Sequence, residues 1–249
     1  MITMNDRKQV YLPIINEDIE KHNIIQREKR NNKRKSFAFH PSGISHPCSR
    51  NIYYQFFRAL PKPYKAKKIR IFDVGNDMHN RYNRYAKRAG ILIVKELPMK
   101  IEEYKLSMRL DQLVLIDNIL RLIELKSMNL RKYSMLFGKP EQSHYDQVQL
   151  YLWALNEIFT ANSKRKIFVE YKNYFPIKRA SIVVECKDDQ NQEEFPVEYD
   201  QKRIDEILSI LKDYRENFRG GEIPKRIFEK NSPECRWCDY SEICWSENV

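Results

Sequence analysis

The chain has 249 residues, of which 42% are hydrophobic and 12% aromatic, and its formal net charge is +11. This composition supports a buried core and excludes a chain that is disordered throughout. No run reaches the roughly 18 apolar residues of a membrane span, and residues 1–10 lack a signal-peptide core, so we expect a cytoplasmic protein with no membrane partner. The positive charge favours a nucleic-acid partner, although a generally basic soluble enzyme is the alternative.

The first third of the chain is predicted to be a basic segment followed by helices. Residues 1–36 include the basic run 21–35, which is either an arm or helix that touches DNA phosphates or a solvated tail. Residues 48–60 are rich in Tyr and Phe and predict a helix that the two following prolines end. Residues 69–89 carry apolar side chains at helical spacing, and Gly90 follows them at a position where helices prefer glycine.

The remainder of the chain predicts alternating strands and helices before a short cysteine-bearing tail. Residues 188–194 are polar and predict a loop. Helices are expected over 142–159 and 201–218, and strands over 91–97, 104–116, 119–127, 166–175 and 179–186. This order predicts a mixed α/β (α+β) core.

Two of the predicted strands form a hairpin that carries acidic residues. Asp117 and Asn118 tolerate positive φ and predict a two-residue turn. In that register Asp111 lies directly opposite Glu124, with Cβ atoms about 4.5–5.5 Å apart. Lys126 shares the face of Glu124, because side chains alternate along a strand. A register error of one residue would move Asp111 to the other face.

The chemistry of this trio favours a metal ion. Two carboxylates this close repel each other unless a cation lies between them. Hard oxygen ligands favour Mg²⁺ or Mn²⁺, which polarises a phosphate and lowers the pKa of a bound water. Lys126 would then orient or deprotonate that water, or stabilise the developing phosphate charge. The alternative is an Asp–Lys–Glu ladder of surface ion pairs.

Asp111 followed by Glu124-Leu125-Lys126 resembles the signature of the PD-(D/E)XK nucleases, in which a strand Asp precedes an E-x-K across a short hairpin. Two further motifs resemble the RecB-like branch of that family. They are the Gly-x-x-x-His of Gly75–His79 and the Gln-x-x-x-Tyr of Gln147–Tyr151. The resemblance implies a restriction-endonuclease-like fold, with a central mixed β-sheet flanked by helices.

The same resemblance implies a metal-dependent DNA exonuclease that acts at single-stranded ends. The metal would be held by the Leu125 backbone carbonyl and by three side chains, which are His79, Asp111 and Glu124. Gln147 and Tyr151 would help to hold DNA and the active-site lysine. The catalytic set would therefore be Asp111, Glu124, Lys126, Gln147 and Tyr151.

Three of these residues have simpler interpretations. His79 and Tyr151 are also compatible with ordinary core positions. Arg109 occupies a position where the family often has glycine, two residues before the strand Asp. It either contacts a DNA phosphate or faces solvent.

The five cysteines do not suggest a disulfide framework, because their number is odd and no secretion signal is expected. Cys235, Cys238 and Cys244 lie within ten residues, a spacing that suits metal ligation. A closed site needs a fourth ligand, for which Cys48 is the best candidate. Cys186 ends a predicted strand and is expected to pack as a small apolar residue.

One cysteine before the core and three after it resemble the iron–sulfur nucleases of the RecB-like branch. These include the CRISPR adaptation exonucleases, the AddB nuclease domain and eukaryotic replication nucleases. The resemblance, from about Ser42 to Cys244, implies a 4Fe-4S cluster, with zinc as the alternative, that joins the two ends of the core. It divides the chain into an N-terminal arm (1–36), a helical segment with the first cysteine (37–68), a nuclease core (69–222) and a cysteine segment (223–249).

Other functions are compatible with the same motifs. One is a DNA-binding or assembly subunit whose nuclease fold is only structural; the intact set of Asp111, Glu124 and Lys126 argues against it. Another is a structure-specific endonuclease or a CRISPR adaptation trimming enzyme. The favoured exonuclease would act in DNA recombination, repair, replication or end processing, with protein partners from those processes.

Overall fold

The computed structural model describes residues 11–33, 37–161 and 164–246. Its centre is a mixed five-stranded sheet in the order β1-β2-β3-β4-β5, in which β3 and β4 are parallel and the other neighbours antiparallel. The strands are β1 (Leu92–Ile101), β2 (Leu106–Ile116), β3 (Ile119–Met128), β4 (Arg179–Cys186) and β5 (Gln192–Glu198). The predicted mixed sheet within an α/β fold is confirmed.

Helices flank both faces of this sheet. They are α1 (Tyr11–Lys33), α2 (Pro41–Ile44), α3 (Ser49–Phe56), α4 (Ala66–Arg88), α5 (Leu130–Tyr133), α6 (Gln142–Thr160), α7 (Lys166–Glu170), α8 (Gln201–Arg219), α9 (Pro233–Arg236) and α10 (Ser241–Ser246). Among these helices of the described ranges, none is long and apolar enough to cross a membrane.

The two faces of β3 pack against different helices because its side chains alternate. Leu122 is buried in the larger core, which includes Val148 and Leu152 of α6. Leu125 points the opposite way and packs in a smaller core with Met78 of α4. Polar residues of β3 on the α6 side therefore face a helix across an otherwise apolar layer.

The β2–β3 hairpin has the turn and the register that the sequence predicts. Asp117 and Asn118 have φ values of 50° and 57°, and Ile116 pairs with Ile119. The ladder continues to the pair Gln112–Ile123 and ends one step before Asp111 and Glu124. At that step the Leu125 N–H donates a hydrogen bond of 2.8 Å to Asp111 Oδ2, so a side chain replaces the partner strand's backbone.

Two predicted elements in the second half of the chain are wrong. Residues 166–175 form α7 and a 3₁₀ turn (Lys172–Tyr174) instead of a strand. Phe168 is buried against Phe159 and Phe175, whereas Val169 is exposed, so this short apolar run packs through aromatic contacts. Part of the predicted polar loop belongs to β5, an edge strand that buries only Phe195 and Val197.

Residues 11–33 form α1, so the part of the basic run 21–35 that the structure describes is helical, one of the alternatives left open by the sequence. Polar contacts tie this helix to the start of α4: Glu20 Oε1 accepts from the Ala66 N–H at 2.9 Å, and Arg70 donates to Asn16 Oδ1 at 2.6 Å. Hydrophobic periodicity does not reveal such a helix, because its partners are polar and distant in sequence. The rest of the predicted arm, residues 1–10 and 34–36, lies outside the described residues.

The segments before and after the sheet meet each other directly. Tyr53 OH of α3 donates to the Gly221 carbonyl at 2.7 Å, and Arg50 donates to the Pro224 carbonyl at 3.1 Å. Tyr64 OH donates to Asp239 Oδ2 at 2.8 Å. These contacts bring the predicted cysteine-bearing segments together.

Candidate active site

Glu124, Lys126 and Gln147 form a compact hydrogen-bonded group between β3 and α6. Lys126 Nζ lies 2.7 Å from Glu124 Oε1, and the Gln147 amide donates to the same oxygen at 2.6 Å. Gln147 Oε1 accepts from Lys126 Nζ at 2.9 Å. The amide thus fixes the lysine and the carboxylate relative to each other.

Tyr151 extends this group by one helical turn. It lies four residues after Gln147 on α6, and residues at this spacing are neighbours on a helix face. The Gln147 amide donates to Tyr151 OH at 2.8 Å. Burial and the nearby charge of Glu124 raise the pKa of Tyr151 well above its usual range, so the phenol stays protonated at neutral pH.

Asp111 joins the group from β2, and His79 joins it from α4. Asp111 Oδ2 accepts from the Leu125 N–H, and its Oδ1 lies 3.4 Å from His79 Nδ1. The contact with Asp111 raises the pKa of His79 above its ordinary value despite partial burial. A Cβ at Gly75 would lie 3.4 Å from Ser127 Oγ, an ordinary van der Waals distance, so α4 lies close to β3 at this point without requiring glycine.

One oxygen of Glu124 has no hydrogen-bond partner. Glu124 is 2% exposed, and its Oε2 atom is buried without a donor, whereas Oε1 has two. Burial raises the pKa of this carboxyl to about 7, although the positive charge of Lys126 acts to lower it. An unpaired buried carboxylate oxygen is costly, and a divalent cation would satisfy it.

The residues near Oε2 fit Mg²⁺ or Mn²⁺ in chemical type. Asp111 and Glu124 supply hard oxygen ligands, Leu125 supplies a backbone carbonyl between Glu124 and Lys126, and His79 supplies an imidazole. Within the described residues, no group of three or more His, Cys, Asp or Glu side chains is found that could hold a metal ion. The roles of these residues as ligands therefore stay predictions.

Arg109 does not join this group. Its guanidinium lies 3.2 Å from Glu96 Oε2, and both side chains are largely exposed. Arg109 is two residues before Asp111 on β2 and acts electrostatically on Tyr151, so it stands at the border of the site. Its predicted contact with a DNA phosphate is untested.

His144 is a neighbour that the sequence did not single out. It lies three residues before Gln147 on α6, and its Nδ1 atom is buried without a hydrogen-bond partner. Burial and the positive charges of Lys126 and Lys132 lower its pKa to about 3, so it is neutral at physiological pH. The sequence feature that could have identified His144 is its spacing of three residues, about one helical turn, from Gln147.

The four predicted cluster cysteines line one small cavity, described here as the cysteine cavity. The cavity is small, with a volume of about 30 Å³. Its cysteines are Cys48, Cys235, Cys238 and Cys244. Cys186 is buried in β4 instead, which agrees with its predicted packing role.

One sulfur of the cysteine cavity accepts two hydrogen bonds. Cys238 Sγ accepts from the Asn51 side-chain amide at 3.3 Å and from the Tyr240 N–H at 3.4 Å. Burial raises the pKa of the Cys48 thiol, and the nearby Cys238 and Cys244 raise it further. The described residues contain no group of three or more His, Cys, Asp or Glu side chains arranged to hold a metal ion, and this includes the cysteines of the cavity. Thiolates are the usual ligands of soft metals and iron–sulfur clusters, and a group bound in the cavity stays a prediction.

A family model described as the PD-(D/E)XK nuclease superfamily matches residues 48–245. The chain belongs to this superfamily. PD-(D/E)XK nucleases generally use Mg²⁺ or Mn²⁺, in agreement with the chemical type of the ligands around Glu124. The matched range includes the acidic hairpin and all four cysteines of the cysteine cavity. No curated protein is significantly similar to this chain in sequence.

Several solved structures have a similar fold. The crystal structure of SSO0001 matches with a TM-score of 0.56 and 16% identity over 96% of this chain and 100% of that one. An alkaline exonuclease from Laribacter hongkongensis, LHK-Exo, matches with a TM-score of 0.51 and 14% identity over 74% and 89%. A structure of LHK-Exo with dAMP gives the same TM-score at 16% identity. At these identities the likeness shows the PD-(D/E)XK fold alone.

Proposed function

We propose that this PD-(D/E)XK protein is a metal-dependent DNA exonuclease that hydrolyses phosphodiester bonds at single-stranded ends. The observation that carries the proposal is Glu124, a buried carboxylate with one oxygen unpaired beside Asp111 and a fixed lysine. A purely structural fold has no reason to bury an unsatisfied carboxylate, because an apolar residue there would be less costly.

In this proposal His79, Asp111, Glu124 and the Leu125 carbonyl hold Mg²⁺ or Mn²⁺. When bound, the ion supplies Lewis-acid polarisation of the phosphate and an acidified water. Lys126 orients the attacking water or stabilises the charge that develops on the phosphate. Gln147 keeps Lys126 in place through its 2.9 Å hydrogen bond.

The choice of substrate is argued from the charge of the chain and from its resemblances. A net charge of +11 attracts a polyanion, and affinity for one should fall steeply with salt. Arg109, Gln147 and Tyr151 are the proposed DNA contacts. The exonuclease assignment draws on the resemblance to RecB-like enzymes and on the likeness to LHK-Exo. We place the activity in recombination, repair, replication or end processing, with partner proteins from those processes.

End-labelled single-stranded DNA with Mn²⁺ tests the activity. Glu124→Gln removes the charge but keeps the shape, and it should reduce the cleavage rate on the order of 10³-fold. Glu185→Gln is the matched control, because Glu185 is another buried glutamate on the neighbouring parallel strand, bonded to Arg81 and Tyr82. Equal cleavage by wild type and Glu124→Gln would reject the proposal, and substrates blocked at the 5′ or 3′ end separate exonuclease from endonuclease action.

We further propose that the cysteine cavity binds a 4Fe-4S cluster, with zinc as the alternative. The support is the convergence of four thiols from two distant segments and the N–H donors directed at Cys238. The bound group would fasten the helical segment to the C-terminal segment. The division of the chain at residues 36, 68 and 222 remains a prediction.

Metal analysis and absorption spectra test the second proposal. Anaerobically purified protein should contain about four iron atoms with a broad absorption band in the visible, and Cys238→Ala should lose both. Cys186→Ala should keep both, because Cys186 lies outside the cavity. One zinc per chain would select the alternative, and equal metal content in both variants would exclude the cavity as the site.

A further inference from the structure

The segment between β3 and α6, residues 129–141, is held firmly against the body of the protein. The Asn129 side chain caps α5 by accepting from the Lys132 N–H at 2.9 Å. The Leu130 N–H donates to Asp188 Oδ2 at 2.6 Å, and Leu136 is only 5% exposed. We call this the β3–α6 segment; both of its ends are attached to elements that carry the candidate active site.

Two large apolar side chains on this segment point away from the core. Phe137 is 84% exposed and Met135 is 61% exposed, on either side of the buried Leu136. A hydrogen bond from the Lys139 N–H to the Leu136 carbonyl closes a tight turn, with φ values of 45° at Phe137 and 74° at Gly138. Few residues with a side chain adopt positive φ, so the fold holds Phe137 outward at a conformational cost and gains no core packing from it.

Three exposed cations lie on the same segment as these side chains. Arg131, Lys132 and Lys139 are exposed, and neither Arg131 nor Lys139 pairs with an acidic side chain of the described residues. Lys132 pairs with Glu141 at 3.5 Å, and Glu141 contacts His144 at 3.6 Å. The positive charge of Lys126 acts in turn on His144 and helps to lower its pKa. Lys132, Glu141 and His144 therefore connect the β3–α6 segment to the candidate site.

An exposed aromatic ring on a segment that also carries the exposed cations Arg131 and Lys139 is complementary to a nucleic-acid strand. Cations attract the phosphates, and an aromatic ring stacks on bases of any sequence because every base has a π-face. A protein partner would also cover apolar side chains, but it would not explain the flanking positive charge or the attachment of the segment to the active-site strand.

We propose that Phe137, with Met135 beside it, is a nucleobase-stacking site for the DNA strand whose backbone lies in the candidate active site. This inference rests on the proposed function, because it assumes that the strand reaches Lys126. The ring of Phe137 would stack on a base near the scissile phosphate, while Arg131 and Lys139 would contact the neighbouring phosphates.

The test compares a normal single-stranded oligonucleotide with an abasic one of the same length. Binding is measured by fluorescence anisotropy in Ca²⁺ in the Glu124→Gln background, where cleavage does not interfere. Phe137→Ala should weaken binding of the normal oligonucleotide by about 5- to 150-fold, as expected for the loss of one stacked base, and leave the abasic affinity nearly unchanged. Phe137→Tyr should retain the wild-type preference, and Val169→Ala, at an exposed apolar position of α7, is the control.

Two results would overturn the inference. If Phe137→Ala binds the normal oligonucleotide as tightly as the parent, the exposed side chains belong to a protein contact instead. If it loses affinity equally for the abasic strand, the effect does not involve a base. The outcome is separable from the nuclease proposal: base-dependent binding through Phe137, combined with no cleavage of DNA by the wild type in Mg²⁺ or Mn²⁺, would reject the nuclease proposal and keep the stacking site.

Discussion

The candidate active site and the cysteine cavity differ in how their members are brought together. Glu124 and Lys126 come from β3, and Gln147 and Tyr151 come from α6, which follows β3 after the short helix α5. Cys48 and the three other cysteines of the cavity come from opposite ends of the residue range that the superfamily model matches. The first group is fixed by the sheet and by α6, with His79 added from α4, whereas the second depends on two segments that meet beside the sheet.

This difference predicts different consequences of losing a metal. The candidate active site is held by hydrogen bonds among protein groups, such as Gln147 to Lys126 and Leu125 to Asp111. It should persist when Mg²⁺ or Mn²⁺ is removed. A group bound in the cysteine cavity closes a long loop of the chain, and its loss should free both segments.

The largest effect expected is on stability, at the cysteine cavity. Cys238→Ala should reduce the free energy of unfolding by at least about 3 kcal/mol, because metal-binding energy is lost with the ligand. That corresponds to a fall in Tm of roughly 6–12 °C for a chain of this size. Calorimetry measures the change, with Cys186→Ala as the control; a chelator that removes only Mg²⁺ or Mn²⁺ should leave Tm nearly constant. Equal Tm values for the two cysteine variants would contradict a stabilising role of a group bound in the cysteine cavity.

The next prediction separates activity from stability on one helix. Gln147→Leu should lower the cleavage rate by about 10- to 100-fold, because Lys126 loses the partner that positions it. Gln149→Leu should keep the rate but cost about 1–3 kcal/mol of stability, since its amide bonds the Glu198 carbonyl and the Asp200 N–H. Single-turnover rates and urea denaturation measure the two quantities. Equal loss of activity in both variants would count against a special role for Gln147.

A third prediction concerns pH and the residue next to Gln147. Burial alone would raise the pKa of Asp146, but hydrogen bonds from Arg203 and Gln142 outweigh burial and lower it. A lowered carboxyl pKa stabilises the fold above the unfolded value of about 3.9, and this contribution is lost as the pH falls through the folded pKa.

Asp146→Asn should therefore be less stable than wild type by about 1.5–3 kcal/mol at pH 7, the value of hydrogen bonds to a charged group. The gap should begin to narrow below the unfolded value of about 3.9 and should close as the pH falls through the lowered folded pKa of Asp146. Urea denaturation between pH 3 and pH 8 checks it. A gap that stays constant over this range would show that the charge of Asp146 is not responsible.

The smallest effect should come from the hydrogen bond that Asn51 donates to Cys238 Sγ. Asn51→Ala should speed release of the bound metal to a chelator by about 2- to 5-fold, as expected for one hydrogen bond worth roughly 0.5–1 kcal/mol. Asn83→Ala is the control, because Asn83 is also buried but bonds Gln112 on the other side of the sheet. Unchanged release from Asn51→Ala would make this contact incidental.

The hairpin was predictable because its determinants are local. Turn residues that tolerate positive φ set the register, and side-chain alternation then places Glu124 and Lys126 on one face. The strand predicted at 166–175 failed because a short apolar run does not distinguish a strand from a helical turn when aromatic neighbours decide its packing. The edge strand β5 was missed in part because charged residues dominate its exposed face.

The sequence by itself determined the order of the motifs, the hairpin register and the helix face shared by Gln147 and Tyr151, since each follows from a short-range period. Only the tertiary structure decided that His79 reaches Asp111, that His144 lies near Lys126 and that Phe137 stands exposed above a buried leucine. Those outcomes depend on burial and on partners far away in the chain. The two carboxylates and the lysine could be placed together from the sequence because they share one hairpin, whereas only the folded chain shows that the four cysteines line one cavity.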